Sequence, residues 1–260
     1  IAVDKQNKKL LFATANGHTT KFIALDERFA FLENLHKKNQ SSQTLTINSH
    51  SSDWNKFVIT SSDLSGWRHK LVDVETQQIT PLEEQTLPGK QSRVASYQEI
   101  EIPTDNGVPV RAFLARPNFI APDLKMPTVI YLHGGPKSRS YPSYNPEISF
   151  LTNRGYAVLV VNYYGSTGFG KDYMRLPYGN FVSLPDSVSS AVDWLLDSGS
   201  ADPDKLALMG GSYGGYLSLL LPDLDNRFAC SVAINPVTDL SNLVSRDKND
   251  FGEKEFETHF

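Results

Sequence analysis

Cysteine is nearly absent: Cys230 is the single one in 260 residues. No disulfide can close within the chain, and a lone thiol matches a reducing compartment, so a cytoplasmic protein is expected. Long apolar runs are lacking too. No stretch approaches the roughly 18 residues of a membrane-spanning helix and no basic-then-apolar leader occurs, so neither a span nor a signal peptide is expected. An excess of positive charge is also missing: 25 Lys and Arg against 29 Asp and Glu leave a net charge of −4 and a pI near 5.9. That balance argues against nucleic acid or an anionic membrane as the partner. Histidine and cysteine at ligand spacing are wanting, so the carboxylates of "LEE" (82–84) and "EKEFE" (253–257) read as solvated faces, and no metal is expected. The glycine-rich "GSTGFG" (165–170) has no Gly-Lys-Ser/Thr ending, so it is no phosphate loop, and no cofactor is called for.

What is present, 40% apolar and 21% charged residues, is ordinary for a globular chain and divides in two. In residues 1–95, "KLLFATANGHTTKFIALD" (9–26) and "KFVITSSDLSGWRHKLVDV" (56–74) both read as strand, polar turn, strand, closing on an apolar residue and Asp. Leu25-Asp26 corresponds to Val72-Asp73, a spacing of 47 that matches a propeller blade. We therefore expect a partial β-propeller of about two blades, which cannot close a ring of 4–8. It would form two antiparallel sheets with an open strand edge, and neither a helix nor a closed barrel is expected there.

Residues 96–260 have another texture. After a hairpin over 99–117, apolar strands at 128–133, 156–163, 205–209 and 228–235 alternate with helices near 146–153 and 184–197 and after Ser212. In the second of these, Val188, Ala191, Val192, Leu195 and Leu196 share one face. Such alternation predicts an α/β fold, a mostly parallel sheet with helices on both faces and strand 205–209 central. Cys230, on strand 228–235, is expected as a small core residue.

Two loops of this half carry the chemistry. Gly210-Gly211-Ser212-Tyr213-Gly214 fits Gly-x-Ser-x-Gly, with an apolar strand before it and a helix after it that Pro222 should stop. A turn that sharp demands strained angles and neighbours without bulk. "YLHGGPKSR" (131–139) follows the first strong parallel strand, and a His-Gly-Gly turn there can present a backbone N–H to a tetrahedral oxyanion. The N–H of Tyr213 would be the second donor, and a side chain at Gly134 or Gly135 would fill space that a substrate carbonyl needs. The aromatics Tyr141, Tyr144, Tyr163 and Tyr164 crowd this loop in sequence, as packing or as substrate contacts.

On "HGGP" (133–136), "VVNYYGSTGFGKDY" (160–173), "ADPDKLALMGGSYGGYLSLL" (201–220) and "FACSVAINPVTDL" (228–240), the chain resembles the prolyl oligopeptidase family of serine peptidases, most closely its acylaminoacyl-peptidase branch. The resemblance implies an α/β-hydrolase domain capped by a propeller that admits short peptides. It also implies Ser212 as nucleophile, the N–H groups of Gly135 and Tyr213 as oxyanion hole, and Val237 and Leu240 lining the pocket for the residue before the scissile bond. Family members usually carry Arg where this chain has Tyr164.

A serine needs a histidine to take its proton and a carboxylate to orient that histidine. After Ser212 stand Asp239, Asp247, Asp250 and one histidine, His259. The order Ser, acid, His is met on paper, but each parallel crossover takes on the order of 30 residues, and "RDKNDFGEKEFETHF" (246–260) reads as charged, without a strand. His133 is expected to brace its own loop, and His18, His36, His50 and His69 fall in the first half. We therefore expect an internal piece of a longer serine peptidase, the α/β-hydrolase fold incomplete at its C-terminal end. A chain completed by another chain, a homo-oligomer, a carboxylesterase and a non-catalytic scaffold are the alternatives.

Overall fold

The computed structural model describes residues 2–5, 7–16, 20–38, 44–86, 95–121, 123–178, 180 and 182–240. They fall into two compact units, one of residues 1–95 with 141–150, the other of 96–140 with 151–260.

In the first unit, β1 (Ala2–Asp4), β2 (Lys9–Asn16) and β3 (Thr20–Ala24) form an antiparallel sheet in that order. A 3-10 turn (Glu27–Phe29) and α1 (Ala30–Lys38) follow. Then β4 (Thr44–His50), β5 (Lys56–Asp63), β6 (Gly66–Asp73) and β7 (Gln78–Thr86) make an antiparallel meander. Lys9 pairs with Asp26 at 3.0 Å and Lys56 with Asp73 at 2.9 Å, so the two similar hairpins close on the same ion pair, 47 positions apart. Exposed lysines make such pairs weak. What holds the unit is its core, where Phe12 stacks on Phe22 and touches Phe29 and Trp54.

The helical segment 27–38 corrects the expectation that none would occur here and counts against reading residues 1–95 as a plain repeat of blades. The Asp26 carboxylate accepts the Arg28 N–H and starts the turn, and Phe29 and Leu32 drop into the core three residues apart. That is a helical period between two stretches of alternation.

In the second unit β8 (Ser96–Ile102) and β9 (Val110–Arg116) form the hairpin. Then come β10 (Met126–Leu132), α2 (Pro146–Thr152, shared with the first unit), β11 (Ala157–Asn162), α3 (Lys171–Arg175), α4 (Ser183–Asp197), β12 (Ala201–Gly211), α5 (Tyr213–Leu224) and β13 (Phe228–Ile234). The sheet order is β13-β12-β10-β11-β9-β8, parallel from β13 to β11 and antiparallel beyond. Every residue of β11 is buried, so both faces of the sheet are covered there. Val188, Ala191, Val192 and Leu195 of α4 are fully buried, and side chains of that kind stabilise by about 1.5–3 kcal/mol each when large.

Three expectations need correction. β12 is second from the edge among the described strands rather than central, because β10 and β11 occupy the middle. Cys230 is exposed, since β13 has a described neighbour on one side only and Val232 and Ile234 are exposed with it. Helix α5 does not stop at Pro222 but runs on to Leu224. A proline in the last turn costs the Ser218 carbonyl its helical donor without barring the residues that follow. None of the described helices is long and apolar enough to cross a membrane.

Candidate active site

β10 and β12 lie side by side and parallel, with Leu132 opposite Gly210. Their C-terminal loops, His133–Pro136 and Ser212, therefore emerge together. Ser212 is exposed, at φ 55° and ψ −117°, a region where a non-glycine residue carries about 1–3 kcal/mol of strain. The surroundings hold it there: its N–H donates to Ile234 O at 3.0 Å, and its carbonyl accepts from Tyr216 N at 3.0 Å and Val237 N at 3.3 Å. The elbow is thus tied to the end of β13 and to the first turn of α5.

Two glycines make the crossing possible. A Cβ on Gly210 would sit 2.4 Å from Gly214 O, and one on Gly214 only 2.1 Å from Leu132 O. Gly134 matters differently: a Cβ there would meet Ser212 Cβ at 3.3 Å and Oγ at 3.9 Å, in the space over the hydroxyl. Gly135 serves its own turn. At φ 136° its Cβ would strike Lys137 N at 2.7 Å. The Tyr213 N–H opens α5, where helix N-termini favour negative charge.

His133 is 7% exposed and fully engaged. Its Nδ1–H donates to Gly134 O at 2.7 Å, and Nε2 lies 2.8 Å from Ser166 Oγ, itself 2.6 Å from Tyr163 O. Tyr163 stacks on the imidazole at 4.4 Å and donates its hydroxyl to His133 O at 2.7 Å. Burial pushes the imidazole down to about 4, against a raising hydrogen bond to Gly134 and with a further lowering by the Arg139 charge. Held on both nitrogens and too weak a base at neutral pH, His133 cannot serve Ser212. It braces the glycine loop.

This burial should show in stability. The unfolded imidazole titrates near 6.5 and the folded one near 4, so the contribution is complete above about pH 6.5 and is lost as pH falls toward 4, by about 3 kcal/mol in all. The urea-unfolding gap between the native chain and His133→Asn should shrink by that amount from pH 7 to pH 4. Parallel pH profiles would show that the imidazole is not the group responsible.

A second clamp escaped sequence reading. Asn162, buried at the end of β11, accepts from Ser140 N at 2.7 Å and donates to Ser140 O at 3.1 Å, fixing the far end of the glycine loop. The polar residue closing an apolar run, in "VVNYYGS", was its one signal. Tyr163 and Tyr164 are packing residues: both are buried, and Tyr164 donates its hydroxyl to Val108 O at 2.6 Å. Tyr141 and Tyr144 fall in the first unit. Val237 is half-buried and bonded to the Ser212 carbonyl, while Leu240 packs against the core. Asp239 is exposed. His18, Asp247, Asp250 and His259 lie outside the described residues. Among the described residues of this unit, His133 is the one histidine.

An α/β unit with a strained serine where a parallel strand turns into a helix, beside a glycine loop, is the framework of a serine-type hydrolase. Residues 142–259 match the model of the prolyl oligopeptidase family. Over that segment the chain is similar to this family of serine peptidases. It is 42% identical over 125 residues to dipeptidyl aminopeptidase BIII of Pseudoxanthomonas mexicana, covering 47% of this chain and 18% of the relative. It is 40% identical over 120 residues to acylamino-acid-releasing enzyme 1 of Oryza sativa subsp. japonica, covering 45% and 16%. Among solved structures, a puromycin-hydrolyzing peptidase of Mycobacterium tuberculosis superposes with a TM-score of 0.74 at 21% identity, over 96% of this chain and 42% of that one. The chain thus spans less than a fifth of the length of those two curated relatives.

Proposed function

We propose that Ser212 is the nucleophile of an acylaminoacyl-peptidase-like enzyme that cleaves short or N-acylated peptides on an α/β-hydrolase domain. The observation that carries this is the Ser212 backbone, at φ 55° and ψ −117° at the end of β12, with the Gly134 edge over its hydroxyl. The Oγ attacks the scissile carbonyl as its proton passes to a base. The oxyanion forms against the N–H groups of Gly135 and Tyr213, near the N-terminus of α5, and the amine leaves with a proton. Water then hydrolyses the ester and frees Ser212. Val237 and Leu240 flank the residue before the scissile bond. No step calls for a metal or a cofactor.

The base and its carboxylate partner come from outside residues 1–240 in this reading, either from more sequence of the same protein or from a complementing chain. The two sheets of the first unit are blades of a propeller that restricts access to short peptides, and the setting is cytoplasmic. The printed names of the relatives, a dipeptidyl aminopeptidase and an acylamino-acid-releasing enzyme, support peptides as the substrate class. One observation favours a second reading, a scaffold without turnover: the described part of the unit holds no histidine free to activate Ser212. A fluorophosphonate separates the two, because a complete enzyme should be captured at Ser212 and a scaffold should not. Comparing acetyl-alanyl anilide with a p-nitrophenyl ester then tests peptide against ester, and turnover of the ester with none of the anilide would overturn the peptidase assignment.

A further inference from the structure

The first unit holds a cleft of about 50 Å³ between α1 and the inner face of the meander β4–β7. Its walls include Phe22, Leu32 and Ile59, which is ordinary for a core gap. Two lining residues are not. Ser61 is 4% exposed, and its Oγ has no hydrogen-bond partner among the described residues. Lys70 also lines the cleft and makes no ion pair among the described residues.

The register puts both on the apolar side of the sheet. Phe57, Ile59 and Ser61 alternate inward along β5, Leu45 stands opposite Ser61, and Lys70 stands opposite Ile59. Directly opposed residues share a face. The other face has its own polar set, in which Thr60 meets Asn48 and His69. Lys70, half-buried, therefore stands on the core side of the sheet, on the same cleft as a buried hydroxyl without a partner among the described residues. A buried hydroxyl is normally satisfied, so this one calls for an account. His36 of α1 borders the same space.

We propose that this cleft binds a monocarboxylate with a short aliphatic chain. The carboxylate would pair with the Lys70 ammonium and accept the Ser61 hydroxyl proton, and the chain would lie along Leu32, Ile59 and Phe22. A volume of about 50 Å³ takes roughly three to five water-sized groups, enough for the head and the first carbons, with the remainder leading out through the open side. Charge sets the choice: an uncharged chain would leave Lys70 unpaired, and an amine would face it with like charge.

The test is titration of the intact 260-residue chain with hexanoate, hexanol and hexylamine, read from the methyl resonances of Leu32 and Ile59. Hexanoate should shift them saturably, at least tenfold more tightly than hexanol, and hexylamine should not. N-acetylleucine tells the free acid from a peptide C-terminus as the natural source, and saturable binding of either supports the site. Lys70→Met, which keeps the aliphatic stem, should weaken hexanoate at least tenfold, Ser61→Ala about threefold, and Lys70→Arg should retain it. Equal binding of hexanoate and hexanol, or no saturable shift with hexanoate on the unaltered chain, would overturn the proposal, and neither result depends on a variant folding.

Discussion

Replacing Ser212 by alanine should lower peptide turnover by about 10⁶-fold in any form of this protein that carries a base for it, because triad members act as a unit. The oxyanion donors and binding alone should retain roughly 10³–10⁴ over water. The 260 residues by themselves should show no more than that residual. His133 cannot take the serine proton, since both its nitrogens are bonded and its acidity is set by burial at about 4. His259 stands 47 positions beyond Ser212, too few for two more crossovers of on the order of 30 residues each. So His259→Ala should leave both the residual rate and the slow capture of a fluorophosphonate unchanged. Turnover and intact-mass labelling measure both. Robust turnover of the 260-residue chain, lost in Ser212→Ala and in His259→Ala alike, would make His259 the base and refute this account.

The strained serine and its glycine neighbours were readable because each rests on local sequence. An apolar run into Gly-Gly-Ser-Tyr-Gly leaves few conformations open, and the parallel pairing of β10 with β12 brings the two loops together. The central strands were readable for the same reason: β11 is buried throughout, and its residues are apolar up to the closing Asn162. Position within the sheet was not, because "FACSVAIN" looks as buried as "YAVLVVNY" until strand order puts β13 outermost among the described strands. The helix over 27–38 was missed because two hairpins with the same closing pair invite a reading by repeat alone. Least legible were the clamps. Tyr163, Ser166 and Asn162 sit 22–33 residues from the groups that they hold, and nothing in a single sequence announces such pairings.

Gly214→Ala should destabilise the second unit by about 3 kcal/mol or more, the upper range for overpacking a core, and should take the reactivity of Ser212 with it. Propensity argues the other way. Gly214 lies in α5, and replacing a helical glycine by alanine gains up to about 1 kcal/mol. The contacts decide against that gain. The new Cβ would stand 2.1 Å from Leu132 O and 2.6 Å from His133 O, both backbone atoms at the end of a strand paired on each side. No side chain can swing away, so either α5 lifts off the sheet or β10 shifts in register. Gly211, also beside Ser212, supplies the contrast: a Cβ there meets only Ile234 O, at 3.7 Å, an ordinary contact. Gly211→Ala should therefore stay within about 1 kcal/mol of the native chain in urea unfolding, as substitutions away from packed features do. Equal stability of the two variants would mean that the elbow does not depend on the close crossing of α5 over β10, and the geometric basis for assigning Ser212 would fall with it.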